Sequence, residues 1–119
     1  MNIILGKESY QQLKDRYILL KLDTFLIDKQ EMPSYCVIDA KDLPLTEMQD
    51  VMHWQNNHNK ILENYYKRNW YFCEQMIEHC RQRWAGQLET FYIDLYSRIQ
   101  QFKTQELDNN WTGYLERNT

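Results

Sequence analysis

A mostly α-helical protein, with α+β as the alternative, is what the sequence predicts, on three observations. Only three glycines and two prolines occur in 119 residues, so tight turns are few and regular elements are long. From Thr46 onward, apolar residues recur at the three- and four-residue steps of an amphipathic helix. Ahead of Thr46 the apolar residues come in short runs bounded by polar breaks, a strand pattern. The expected architecture is a small bundle of antiparallel helices preceded by a short N-terminal β-α-β-β segment.

The elements follow in order. Ile3 to Leu5 is a short apolar run, and Glu8 to Arg16 predicts a brief helix with Tyr10, Leu13 and Tyr17 to one side. Tyr17 to Ile27 is rich in bulky and β-branched residues and predicts a strand, although helix competes over residues 8–27 because only Asp23-Thr24 breaks the pattern. Asp28 to Pro33 is a polar break, and Ser34 to Ile38 returns as a second strand. Thr46 with Gln49 three residues on forms a capping box. It opens a helix with Met48, Val51, Met52, Gln55, Leu62, Tyr65 and Tyr66 on one stripe, interrupted by His58 and Asn59. Asn69 caps a second helix through Trp70, Cys73, Met76, Ile77, Cys80 and Trp84, with Gly86 just past its end. A third helix starts near Gln87, turns Leu88, Phe91, Tyr92, Leu95, Ile99 and Phe102 inward, and stops at Asp108-Asn-Asn110. On its flank Asp94 and Arg98 form a one-turn pair worth a few tenths of a kcal/mol.

One domain is expected: residues 1–42 as the strand/helix segment, 46–104 as helical hairpins, and 105–119 as an aromatic tail. A chain of this size supports one modest core. Fourteen basic against seventeen acidic residues give a net charge of −3, which argues against a nucleic-acid partner. No stretch approaches the roughly 20 apolar residues of a membrane span, and the opening apolar run is too short for a signal peptide. Cys73 and Cys80 on one helix would stand about 10.5 Å apart, too far for a disulfide. A reduced, cytoplasmic setting is the expectation.

Little in the chain is arranged for chemistry. Cys73, His79 and Cys80, with His53 and His58 on the preceding helix, lack the Cys-x2-Cys or His-x3-His spacing of a zinc site. Cys73 and Cys80 fall on the apolar stripe, where a thiol behaves as a small hydrophobe. Cys36 could pair only with a distant histidine, and no oxyanion-hole glycine loop accompanies it. Glu63, Glu74, Glu78 and Asp94 sit on polar helix faces, where solvated charge is the default. No catalytic residue, metal site or cofactor is expected.

Several short motifs resemble the C-terminal end of bacterial class III adenylate/guanylate cyclases. Tyr10-Gln-Gln-Leu-Lys-Asp-Arg-Tyr17 is similar to that family's helix, Leu22-Asp23-Thr24-Phe25-Leu26-Ile27 to the strand after it, and Pro33-Ser-Tyr-Cys-Val37 to its closing strand. Tyr65-Tyr-Lys-Arg-Asn-Trp70-Tyr-Phe-Cys73 and Trp111-Thr112-Gly113 resemble elements of the family's helical tail. Asp28-Lys29-Gln30 stands where the family has a glycine-containing hairpin. The family's catalytic groups lie upstream of the matched region, so the resemblance implies a non-catalytic regulatory fragment. Tyr65 to Cys73 also resembles half of a tetratricopeptide repeat, which implies one TPR-like helix pair that must pack on something else.

The aromatic surplus points elsewhere. Trp54, Tyr71 and Trp84 fall off or at the edge of the apolar stripes, close to Arg68, Arg81 and Arg83, and Trp111 and Tyr114 form the tail. Tryptophan, tyrosine and arginine are the residues of binding hot spots, although packing inside the domain competes equally for them. The expected function is a non-catalytic protein-interaction module: a small adaptor, regulator or inhibitor of a partner protein, working as a homodimer. Its size and Asn/Gln/Tyr-rich composition resemble small bacterial effector proteins that inhibit other enzymes. A fragment of a nucleotide cyclase is the alternative.

Overall fold

In the computed structural model, which describes residues 1–117, a β-hairpin organises everything else. Strands β2 (Ile18–Ile27) and β3 (Gln30–Ile38) are joined by the two-residue turn Asp28-Lys29. Both turn residues take positive φ, 50° and 67°, as the right-handed twist of a tight hairpin demands. Strand β1 (Asn2–Leu5) pairs antiparallel with β3, and β4 (Leu115–Arg117) pairs parallel with the end of β2. The sheet order is β1-β3-β2-β4. Between β1 and β2 lies α1 (Lys7–Leu13).

The hairpin's register carries one irregularity. Lys21 is opposite Tyr35 but Thr24 is opposite Pro33, so Leu22 and Asp23 together face Ser34 in a β-bulge. The Ser34 hydroxyl donates to the Asp23 carbonyl at 2.6 Å and so occupies the backbone acceptor that the bulge displaces.

A single-turn α2 (Leu45–Met48) leads into α3 (Val51–Tyr66), α4 (Trp70–Cys80) and α5 (Glu89–Lys103), with 3-10 turns at Ala40–Asp42 and Trp84–Gly86. Leu20, Cys36 and Ile38 of the sheet share one core with Ile61, Leu62 and Tyr65 of α3, Cys73, Ile77 and Cys80 of α4, and Leu95 and Ile99 of α5. That burial, at roughly 1.5–3 kcal/mol per large side chain, is what holds helices to sheet.

This architecture corrects the expected fold class. The protein is α+β, 51% helical and 22% strand, with a four-stranded mixed sheet and five α-helices rather than a helical bundle. Nor is there a TPR-like stack: the apolar faces of α3 and α4 close on the sheet and α5 instead of on a repeat. The N-terminal order is strand, helix, strand, strand, and 18–27 is strand throughout, because alternating Leu20 and Leu22 bury against the helices.

Two boundaries and one cap also differ from the expectation. The capping box at Thr46 does not form: α2 lasts one turn and α3 starts at Val51 without a side-chain cap. Asn69 occupies the N-cap position of α4, but its amide donates to Asn64 Oδ1 and caps nothing. Helix α4 ends at Cys80, not Trp84: Arg83 is already extended (φ −76°, ψ 174°), and Trp84 and Ala85 adopt positive φ (60° and 52°) as the chain turns toward α5.

The tail folds back as a clamp; residues 118–119 of the segment read as 105–119 lie outside the described residues. Trp111 packs edge-on against Tyr65, Trp70 and Phe102, at ring-centroid distances of 5.5, 5.7 and 5.4 Å. Gly113 sits at φ 76° with Tyr66 so close that a Cβ would meet its ring at 2.9 Å. A glycine is required there by both conformation and space.

Candidate functional site

The parity of β2 and β3 gives the sheet a second face. Leu19 and Lys21 are paired with Val37 and Tyr35, opposite in direction to buried Leu20 and Cys36. On this outer face Tyr10 of α1 packs its ring on Tyr35, centroids 4.8 Å apart. From the other side α3 contributes Gln55, Asn56 and Asn59. Together these residues line a groove of about 370 Å3 whose floor is Leu19, Lys21 and Tyr35.

The groove's far wall is fixed by a buried histidine. His58, fully buried, makes two hydrogen bonds: its Nε2–H donates to the Lys21 carbonyl at 2.6 Å, so its Nδ1 accepts from the Tyr92 hydroxyl at 2.7 Å. Burial drives the His58 pKa down to about 4 against the opposing pull of the Lys21 carbonyl, so the ring is neutral at pH 7. The same burial raises Tyr92. The histidine read as an interruption of the α3 stripe is therefore the residue that ties α3 to β2 and α5.

A second tie joins the same two elements, β2 and α5. Arg98 donates to both carboxylate oxygens of Asp23 at 2.9 Å and also to Asp94 at 2.9 Å. Burial works against its charge, but hydrogen bonds and charge from Asp23 outweigh it and raise the Arg98 pKa. The one-turn Asp94–Arg98 pair is thus only the outer half of a fork whose inner half reaches the bulge in β2.

Chemically, the groove offers hydrogen bonds and one positive charge. Among the described residues no carboxylate lines it. Among the described residues, no other side chain is hydrogen-bonded to the hydroxyls of Tyr10 and Tyr35, the Lys21 ammonium, or the amides of Gln55, Asn56 and Asn59. Burial and the neighbouring Tyr10 raise the Tyr35 pKa further above neutrality, where a tyrosine hydroxyl is already protonated and able to donate. Gln55 and Asn59 are one helical turn apart, about 6 Å along the axis. The two-residue repeat of an extended peptide is about 6.7 Å, so amides at this spacing can meet successive outward-facing backbone groups.

The eight residues expected to bind a partner differ in what they touch within the chain. Trp54 lies under the Arg83 guanidinium, 3.9 Å from its carbon to the ring centroid, beside Trp84. Trp84 itself is only 2% exposed and belongs to the core. Arg68 stacks on Trp111 at 5.2 Å and donates to the Asp108 carbonyl, while Tyr114 packs on Tyr66. Arg81 is held between Glu78 and Glu89 at 3.5 and 3.7 Å. Tyr71, 76% exposed, is the one of the eight that stands free in solvent. Cation–π and ring contacts within the domain absorb most of the set.

The three cysteines are buried and free of disulfides, and burial pushes their thiols up to about 11 for Cys36, 12 for Cys73 and 11 for Cys80. At neutral pH they are protonated and unreactive. Among the described residues no group of three or more His, Cys, Asp or Glu is placed to hold a metal ion. No helix among them is long and apolar enough to cross a membrane.

No family model, no curated protein and no solved structure matches the chain. The likeness to nucleotide cyclases stands on its short motifs alone.

Proposed function

We propose that this protein is a protein-interaction module, a small adaptor, regulator or inhibitor that acts by contact rather than turnover. The groove between α1 and α3 receives an extended, acidic segment of its partner. One observation carries this reading: six side chains with spare hydrogen-bonding capacity converge on one groove, a single cation and no carboxylate among them. Amides suit a peptide because each supplies both a donor and an acceptor. Lys21 favours an acidic side chain, and the Tyr10–Tyr35 pair offers a flat apolar surface beside it. The eight aromatic and arginine positions then serve the scaffold, apart from exposed Tyr71.

The test is selection of a displayed random-peptide library on the immobilised full chain. Enrichment of acidic peptides is expected. Lys21→Glu should abolish their binding or turn the preference basic, and the Gln55→Ala/Asn59→Ala double variant should weaken it by about tenfold, as loss of two modest hydrogen bonds implies. Circular dichroism of each variant should be unchanged, because these positions are partly exposed. Failure to enrich any sequence, or enrichment indifferent to Lys21→Glu, would overturn the reading.

A further inference from the structure

Among the described residues the outer edge of β1 has no strand paired to it. The Gly6 N–H donates to the Pro33 carbonyl at 2.8 Å, which fixes which residues of β1 turn their backbone groups toward β3. By the alternation of an antiparallel ladder, Asn2, Ile4 and Gly6 face β3, and Ile3 and Leu5 face away. Ile3 and Leu5 therefore direct their N–H and C=O groups off the edge of the sheet. Because they are paired with buried Cys36 and Ser34, their side chains lie on the helix-packed face, yet they remain 54% and 49% exposed. The helices do not reach that far.

Natural sheets protect such an edge with charge, proline, a bulge or a covering element. The segment Asn2-Ile3-Ile4-Leu5 contains none of these, and α1 packs on the opposite face through Tyr10 and Tyr35. We infer that β1 is a dimer interface, occupied by β1 of a second copy in antiparallel register centred on Ile4. Three features select a second copy over an unrelated strand. The outward residues number two and flank Ile4 symmetrically, so a two-fold axis through Ile4 sets Ile3 opposite Leu5 of the second copy and satisfies all four outward residues of the pair at once. Asn2 to Leu5 carry no charge, so the paired strand residues set no like charges opposite one another. Isoleucine meets leucine on the same face, which lets the two half-exposed side chains cover each other. The two sheets become one of eight strands, and each groove stays open on the opposite face of its own sheet. This inference is independent of the groove's role.

Sedimentation velocity of the full chain from micromolar to millimolar concentration tests it. A species of about twice 14.7 kDa is expected at the upper end. Ile3→Pro removes an outward N–H without touching the β1–β3 ladder, and Ile3→Lys places a charge at the junction. Each should raise the dimer dissociation constant by about tenfold or more, with circular dichroism unchanged. Amide exchange at Ile3 and Leu5 of the unmodified chain should slow as concentration rises, a readout that requires no variant. A chain monomeric throughout, a dimer insensitive to both substitutions, or exchange at Ile3 and Leu5 independent of concentration would each overturn the assignment.

Discussion

Along one edge of the sheet, β2 gives its Lys21 carbonyl to His58 and its last three residues to β4. Along the other, β1 presents the backbone of Ile3 and Leu5 with no strand among the described residues paired to it. The covered edge is anchored by polar groups reaching across from α3 and α5, and the open edge by none. The difference teaches where the stability of this domain lies and where its capacity to associate lies. Polar ties buried at one side are costly to remove, because the group left behind has no water to turn to. At the other side the same kinds of backbone group stay hydrated and cost the monomer little.

The sharpest way to break the covered edge is to remove Arg98. Arg98→Met leaves the aliphatic stem but strands the largely buried Asp23 carboxylate at the bulge. Removing one partner of a buried ion pair costs about 3–5 kcal/mol. Urea denaturation should show a loss toward the lower end of that range, since Asp94 of the same fork is exposed and solvent-screened. A loss below about 1 kcal/mol would mean that the bulge holds itself.

Acid should loosen the same edge through His58. In the unfolded chain this histidine titrates near its ordinary 6.5; in the folded protein burial holds it at about 4. Between those values the unfolded state binds the extra proton, so the stability contribution is complete above about pH 6.5 and is lost as pH falls to about 4. At about 1.4 kcal/mol per pH unit the loss amounts to roughly 3 kcal/mol. Denaturation midpoints measured across that window should fall accordingly, and His58→Phe should flatten the dependence. That substitution should itself cost about 2 kcal/mol at pH 7, because it leaves the Lys21 carbonyl and the Tyr92 hydroxyl without their partner. By contrast, Ile3→Lys on the open edge should leave monomer stability within about 0.5 kcal/mol of the parent.

How much of this was legible in the sequence divides along the same line. The helical stripes of α4, α5 and the second half of α3 were legible because core burial enforces a 3.6-residue period, although Met48 and Met52, read onto the α3 stripe, are exposed; β2 was legible from its bulky and β-branched residues. The sheet as an organising layer was not. Its order depends on β4, three residues with no strand pattern of their own that pair through register with Phe25 to Ile27. His58 and Asp23 were read as interruptions for a shared reason: each is a polar residue on an apolar face whose partner, Tyr92 or Arg98, lies 34 or 75 positions away. Periodicity marks such a residue as a defect, and only the tertiary fold supplies its partner. The groove was hidden similarly, since Tyr10, Lys21, Tyr35 and Gln55 come from four elements. The aromatic and arginine residues did announce themselves, but composition does not separate a ring that packs on Arg68 or Arg83 from one that waits for a partner.

The smallest effect concerns the hairpin that sets both edges. Asp28 and Lys29 both adopt positive φ, and the second of these carries a long side chain in a conformation glycine takes without penalty. Asp-Gly is among the preferred pairs for this turn. Lys29→Gly should therefore relieve the left-handed strain, although glycine's greater freedom in the unfolded chain offsets part of the gain. The net expectation is a stabilisation of about 0.5 kcal/mol, seen as a small rise in the denaturation midpoint with an unchanged slope. Destabilisation would show instead that the Lys29 side chain makes a contribution larger than the conformational cost. The register of β2 on β3 would then depend on that contact as well as on the turn, and with it the placement of Lys21 at one edge and Ile3 at the other.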